Sequence, residues 1–467
     1  MYQKRFTNNK MSNMIKILFI ILLLSLCHKN IFAQTTGFGN VTVTNANSNG
    51  NWTLVGTVNT FMPSANNSTV SATDIQTKLG TGDVIISTTC PSCNQVGNLT
   101  ISSSIISKNN STGSVLNRVL KLSAEKDINI NNFIDLAAKE GSSAARAENN
   151  SYNLELISNN GKIITSKSYT IRTDPISNNV GYKGGYVSFT AINGSVQING
   201  AINTSARTSD GMVTIIGNNG VTISANITTS GGTTGILKIT DNFNSFTDNT
   251  NYDNQGQTGG VFTIASFENA GTGVFKIKGV NVYSGNTTLS AGSLYLGAHN
   301  SVPITSNIIF NGGDFRPNGF DTKVNSIKVS ANSTLTFDPL QSSIFTITDI
   351  DTTGPTVNTY LIIREWQGFS QSTALTKFGS LENASSDFVN TNGKLQSAPT
   401  PGGLNQYGQI LTSMVSGASG GLKGIFQGTN NRLSDNFLRR IRFYNGTSYY
   451  SSTQISSKEI VPNAVIP

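Results

Sequence analysis

The stretch GYVSFTAINGSVQINGAINTSARTSDGMVTIIGNNGVTISANITTSG, which begins at Gly185, states one pattern twice. Val187, Phe189, Asn193 and Gly194 align with Val213, Ile215, Asn219 and Gly220; after a one-residue slip, Val196, Ile198 and Ile202 align with Val221, Ile223 and Ile227. Apolar residues two positions apart lie on one face of a strand. The same spacing recurs from Leu99/Ile101 through Leu120/Leu122, Leu154/Leu156, Leu237/Ile239 and Phe262/Ile264 to Leu335/Phe337. Asn-Gly steps punctuate the unit at Asn160-Gly161, Asn193-Gly194 and Asn219-Gly220.

Asn-Gly between alternating runs is ordinarily a hairpin signal. A stack of hairpins has no reason to keep a repeat length, whereas offsets of 26 (Val187 to Val213) and 24 (Val213 to Leu237) suit coils of a parallel β-solenoid. Residues 81–345 are therefore expected to form the solenoid. At roughly 24 residues a coil that makes about eleven coils, and at ~4.8 Å between strands a rod of roughly 50 Å. Three stretches leave the beat and are expected to be projecting loops: Ala137–Ser151, Thr165–Gly185 and Asp241–Gly260. Residues 34–80, with Pro63 and the helical string ATDIQTKL, are expected to cap the N-terminal end. Residues 346–467 are expected to form a mixed closing region. There Ser434 or Asp435 caps a short helix reaching Arg440, with Phe437, Leu438 and Ile441 turned inward.

Composition agrees. The chain has 467 residues, 37% hydrophobic and only 12% charged, with 46 Gly and 11 Pro, a balance suited to short strands with one wet face. The net charge of +8 is concentrated in the first 33 residues, which hold Lys4, Arg5, Lys10, Lys16 and Lys29 and no acid. The rest carries 27 basic against 24 acidic residues, so charge gives no ground for a nucleic-acid partner. Residues 1–33 read as a secretory signal, with the apolar run Ile17–Leu26 and a cut after Ala33. That run is short for a bilayer span, and no other stretch is apolar enough to be one. The mature chain is expected outside the cytoplasm: secreted, extracellular or at the cell surface, with the periplasm as the alternative. Export leaves Cys90 and Cys93 in CPSC. Placed after a strand and lacking a second pair for zinc, they are expected to form a local disulfide.

Two segments resemble known families. GDVIISTTCPSCNQVGNLTISSSII and LKLSAEKDININNFI resemble the repeats of filamentous-haemagglutinin-like adhesins. Val282–Ile327 is similar to the autotransporter-associated β-strand repeat, with YSGNTT, AGSLYLG, NGG and NGFD in that family's order. LIIREWQG, KGIFQG, LRRIRFYNG and SSKEIVP resemble the segment that closes such repeat regions in bacterial surface proteins. The resemblance implies a right-handed parallel β-helix outside the cell, commonly in adhesion, here without a C-terminal barrel or sorting tail. Some fifty residues, 369–421, separate EWQG from KGIFQG, a longer gap than the resemblance leads one to expect.

Chemistry is sparse. The mature chain has one histidine, His299, in a turn, and no H-x-H, H-E-x-x-H or phosphate-loop spacing. Asp349 and Asp351 in TDID form the one candidate catalytic pair for a glycoside hydrolase or polysaccharide lyase, about 7 Å apart along a strand; Asp338 in TFDP has a similar position. Asp241, Asp248 and Asp253 do not match a calcium-loop spacing and read as surface-loop residues. Arg432, Arg439, Arg440 and Arg442 read as a cationic helix end and its following strand. Tyr444, Tyr449 and Tyr450 read as edge-strand tyrosines. No catalytic residue, cofactor or metal is expected. The expectation is a non-enzymatic protein with a structural role or one adhering to cells, matrix or glycans. The alternatives are a polysaccharide-acting enzyme and a self-assembling matrix component. Expected partners are a host or neighbouring-cell surface, matrix or glycan, with self-association as a further contact.

Overall fold

Strand Val187–Ala191 alternates buried Val187, Phe189 and Ala191 with half-exposed Ser188 and Thr190, and the same alternation recurs along the chain. The computed structural model describes residues 37–107, 117–137, 151–175, 183–206, 211–229, 234–243, 256–337, 343–351, 359–365, 408–412, 438–444, 447–454 and 459–466. Almost all of its regular structure is β, with one helix, Ala72–Leu79, among the described residues.

The strands stack in parallel ladders, as a β-solenoid requires. A first ladder runs through Asp83–Ser87, Val119–Ala124, Asn153–Ser158, Val187–Ala191, Val213–Gly217 and Ile236–Asp241, and continues through Ser266–Asn269 and beyond. A second contains Leu99–Ile101, Ile128–Ile130, Ile163–Thr165, Val196–Ile198 and Val221–Ile223. A third, of two-residue strands, runs from Ile105–Ile106 to Phe262–Thr263. The opening repeat is seen in register: Val187 pairs with Val213 and Phe189 with Ile215. After a turn one residue shorter, Val196 pairs with Val221 and Ile202 with Ile227. Stacked apolar residues from all three ladders form one continuous core.

Two sequence expectations change. The apolar pairs belong to different ladders: Leu120/Leu122 to the first, Leu99/Ile101 to the second and Phe262 to the third. The coil length is not constant either. Steps of 36, 34 and 33 residues (Val84, Leu120, Leu154, Val187) give way to 26 and 24, and later to 20, 21 and 19 (Phe267, Thr287, Ile308, Ile327). The inward apolar pairs set the register, so extra residues are tolerated in the turns. Among the described residues, eleven strands of the first ladder begin between Asp83 and Ser343.

After Phe262–Thr263 the third ladder continues, among the described residues, as the bridge Thr263↔Val282. The coils shorten to two main strands, and phenylalanines fill the interior: Phe267, Phe275, Phe310, Phe315 and Phe345 are fully buried. Phe267 and Phe275 lie 6.0 Å apart, and Phe315 and Phe345 5.5 Å.

At the corners, the Asn-Gly steps make parallel turns, not hairpins. A Cβ at Gly194 would overlap the carbonyl of Gly161 one coil below, so the stacking itself demands glycine. The asparagines hydrogen-bond between coils. Asn193 Nδ2 donates to Asn160 Oδ1 at 2.8 Å and Asn242 Nδ2 to Asn218 Oδ1 at 2.7 Å.

The N-terminal segment departs from simple order. Asn40–Thr44 inserts between Asn67–Ser71 and Leu99–Ile101 in the second ladder. Asn51–Val55 and Val58–Met62 form an antiparallel hairpin, turning at Gly56 (φ +61°). Helix Ala72–Leu79 occupies the ATDIQTKL string, with Ala72, Ile75 and Leu79 buried. At the other end Tyr449–Gln454 and Glu459–Val465 run antiparallel and join Ile441–Tyr444 to Gly408–Thr412.

Of the three expected loops, two are in part strand: in Thr165–Gly185, Ile171–Arg172 belongs to the third ladder, and in Asp241–Gly260, Gly256–Gln257 pairs with Val221–Ile223 of the second. Residues 138–150, 176–182 and 244–255 lie outside the described residues, as do the signal segment 1–33 and residues 369–407. Among the described residues no helix is long and apolar enough to cross a membrane.

Candidate ligand-binding face

In the C-terminal half, the coils carry a ladder made of Val274–Ile277, Ser293–Leu296, Asp314–Arg316, Ser333–Thr336, Leu361–Arg364 and Ile441–Tyr444. Each strand buries its apolar residues, among them Phe275, Leu294, Phe315, Leu335, Ile363 and Phe443. Strand alternation therefore turns Lys276, Tyr295, Arg316, Arg364 and Tyr444 outward, while Thr336, in the same row, is buried. Register places Lys276 beside Tyr295, Tyr295 beside Arg316, Thr336 beside Arg364 and Arg364 beside Tyr444, and the Phe315–Leu335 pairing, carried on by one residue, sets Arg316 beside Thr336. Residues separated by up to 168 positions thus form a single row along the stack.

Arginine and tyrosine faces meet along this row. The Arg316 guanidinium lies 5.1 Å from the Tyr295 ring centre and Arg364 5.3 Å from that of Tyr444. In the neighbouring column Arg442 lies 3.5 Å from the Tyr360 ring. Tyr444 in turn packs 4.7 Å from Tyr449. A guanidinium on a ring face is attracted by the ring quadrupole and keeps its N–H edge for other partners. Asp314 holds the base of the row: it takes Arg316 Nε at 2.5 Å and accepts from Thr336 Oγ1 at 2.8 Å. The Arg442 Nε is buried without a hydrogen-bond partner.

The structure places the sequence candidates as follows. Cys90 and Cys93 form a disulfide, Cα–Cα 5.3 Å, and the Cys90 N–H donates to the Gly37 carbonyl at 2.8 Å. The bond thus lies in the turn that holds the N-terminal segment. Asp349 and Asp351 both lie on Ser343–Asp351, opposite Ser326 and Lys328; the Asp351 carboxylate is 3.3 Å from Lys328 Nζ. His299 is exposed in a turn, and its Nδ1 accepts the Asp321 N–H at 2.9 Å. Asp338, Asp248, Asp253, Arg432, Ser434, Asp435 and Phe437 lie outside the described residues. Among those described, no three His, Cys, Asp or Glu side chains gather to hold a metal.

Asp241 is not a surface-loop residue as expected. It ends strand Ile236–Asp241, is 1% exposed, and its carboxylate accepts from the Val221 and Phe243 N–H groups at 2.9 and 3.0 Å. Burial pushes its pKa up to about 7, against the pull of those two donors. Arg440, read as part of a cationic helix end, is buried. Its guanidinium donates to the Val329 and Thr359 carbonyls, and burial lowers its pKa. Tyr450 packs on the core, whereas Tyr444 and Tyr449 pair with one another.

A separate groove of about 740 Å3 lies beside the end of the third ladder, lined by Ile264, Val282, Pro303 and Ile304 among others, with no charged side chain.

The row was hidden because neither Lys276 nor Tyr295 has a notable sequence neighbour; only coil register joins them to Arg364 and Tyr444. No family model matches the chain, and no curated protein or solved structure matches it.

Proposed function

We propose that this chain is an exported, non-enzymatic β-helical rod that binds cells, matrix or glycans through its outward rows, of the kind that the autotransporter-type and haemagglutinin-like resemblances suggest. The observation that carries this reading is the Lys276–Tyr444 row, a rigid line of cations and tyrosines on neighbouring coils. A stacked scaffold fixes such side chains with little ordering left for binding to impose. In the same reading the coil is right-handed. Residues 34–80, with helix Ala72–Leu79, cover one end, and the antiparallel strands after Ile441 cover the other, leaving few unpaired edges. The leader directs the chain to an oxidising compartment, where Cys90–Cys93 persists.

The test is binding of the full processed chain to cultured cells, matrix proteins and glycan arrays in oxidising buffer. Retention on a defined subset supports the reading, and retention on none overturns it.

A second reading, self-association, is favoured by one feature. The outer edge of Asn51–Val55 has no strand partner among the described residues, and Leu54 and Val55 are exposed. Light scattering that stays monomeric across concentration would remove it.

A further inference from the structure

We propose that the Lys276–Tyr444 row binds an anionic polysaccharide lying along the rod axis, its carboxylate or sulfate groups held by Arg316, Arg364 and Arg442. This rests on the binding role argued above and names its ligand class.

Three features of the row select that chemistry. First, the cations are spaced. Lys276, Arg316 and Arg364 occupy alternate coils, with Tyr295 and Thr336 between them. At ~4.8 Å per coil, positive groups recur about every 10 Å over a row of about 24 Å. A polymer meeting it must carry well-separated anions with uncharged stretches between, as acidic sugars joined through neutral ones do. The closer charges of a nucleic-acid backbone are a poorer match.

Second, the guanidiniums are held flat. Tyr295, Tyr444 and Tyr360 each bear an arginine on the ring. The stacked arginine presents its planar N–H edge, which matches two oxygens of a carboxylate or sulfate. Ring faces covered in this way offer little to stacking bases, which nucleic-acid grooves require.

Third, the negative charge beside the row is directed. Asp314 neutralises one edge of Arg316 and is tied to Thr336, while Glu365 follows Arg364. These acids repel a dense polyanion more than a sparse one. The half-exposed Tyr444 adds a hydroxyl of the kind that pairs with sugar hydroxyls.

The experiment is calorimetric titration of the full processed chain with four polymers: hyaluronate, whose carboxylated sugars alternate with neutral ones, keratan sulfate, which carries sulfate but no carboxylate, neutral dextran and a single-stranded oligonucleotide. The first two arms separate carboxylate from sulfate recognition. Binding of either that weakens at least tenfold from 50 to 300 mM salt supports the proposal. So does a tenfold or greater loss in Arg364→Ala/Arg442→Ala, with Arg364→Lys losing less and Lys121→Ala, on the first ladder, losing nothing. Unchanged thermal unfolding of the variants shows that the rod is intact; if the double variant unfolds early, Tyr444→Phe and Arg364→Ala alone are read instead. Tighter binding of the oligonucleotide, equal binding of dextran, or insensitivity to every arginine substitution overturns it. If neither anionic polymer binds while cells or neutral glycans do, this inference fails and the adhesive reading stands; if nothing binds in any assay, both fail.

Discussion

Phe189 and Ile215 face one another across neighbouring coils, 26 positions apart in sequence and paired in parallel register, both fully buried. Each coil is thus the other's core, and a cavity in one is felt by its neighbours. Phe189→Ala is expected to destabilise the rod by about 3–5 kcal/mol. Thr190→Ala, on the half-exposed face of the same strand, should stay within about 0.5 kcal/mol. Urea unfolding followed by circular dichroism reads the difference, and equal effects would contradict the stacking.

Gly194 has no room for a side chain, because the Gly161 carbonyl occupies the place of its Cβ. Gly194→Ala should cost about 1–3 kcal/mol as the two corners are forced apart. Gly56 has open space around its Cβ position and a φ of +61°. Gly56→Ala should cost only the ~1 kcal/mol of a left-handed backbone. A larger loss at Gly56 than at Gly194 would be inconsistent with close stacking at the corners.

The Cys90–Cys93 bond closes a very short loop, so its effect on the unfolded chain is small, about 2 kcal/mol. Its structural effect is local, through the Cys90–Gly37 hydrogen bond. Replacing both cysteines by serine should speed proteolytic cleavage near residues 37–50 while leaving cleavage within residues 187–241 unchanged. Uniform acceleration along the chain would point to a global role.

Asp241 links stability to pH. Its folded pKa of about 7 stands above the usual 3.8, so the folded state binds the proton more tightly than the unfolded one. That contribution is complete below about pH 4 and is lost as pH rises through 7. The difference in unfolding free energy between the wild type and Asp241→Asn should therefore shift against the wild type by up to about 1.4 kcal/mol per pH unit in that window. A constant difference from pH 4 to 8 would show that the carboxyl titrates normally.

Much of the fold can be read along the chain. The pairing of Val187 with Val213 and the one-residue slip before Val196 follow from apolar spacing alone, because strand alternation is a local property and each coil repeats it. The helix at Ala72–Leu79 and the Cys90–Cys93 turn are local as well. Ladder membership was not legible: Leu99/Ile101 and Leu120/Leu122 look alike, yet face different sides of the core. Nor was the fate of Asp241, whose polar neighbours suggest a loop while two backbone donors draw it inside.

Local order, then, was written in residue spacing: strands, corners and the coil as a unit follow from which side chains avoid water every second position. The three-sided cross-section, its narrowing around phenylalanines after Phe262, and the alignment of Lys276, Tyr295, Arg316, Arg364 and Tyr444 belong to the tertiary structure. Stacking joins positions that turns of unequal length hold far apart in the chain, and no window of sequence contains both members of such a pair.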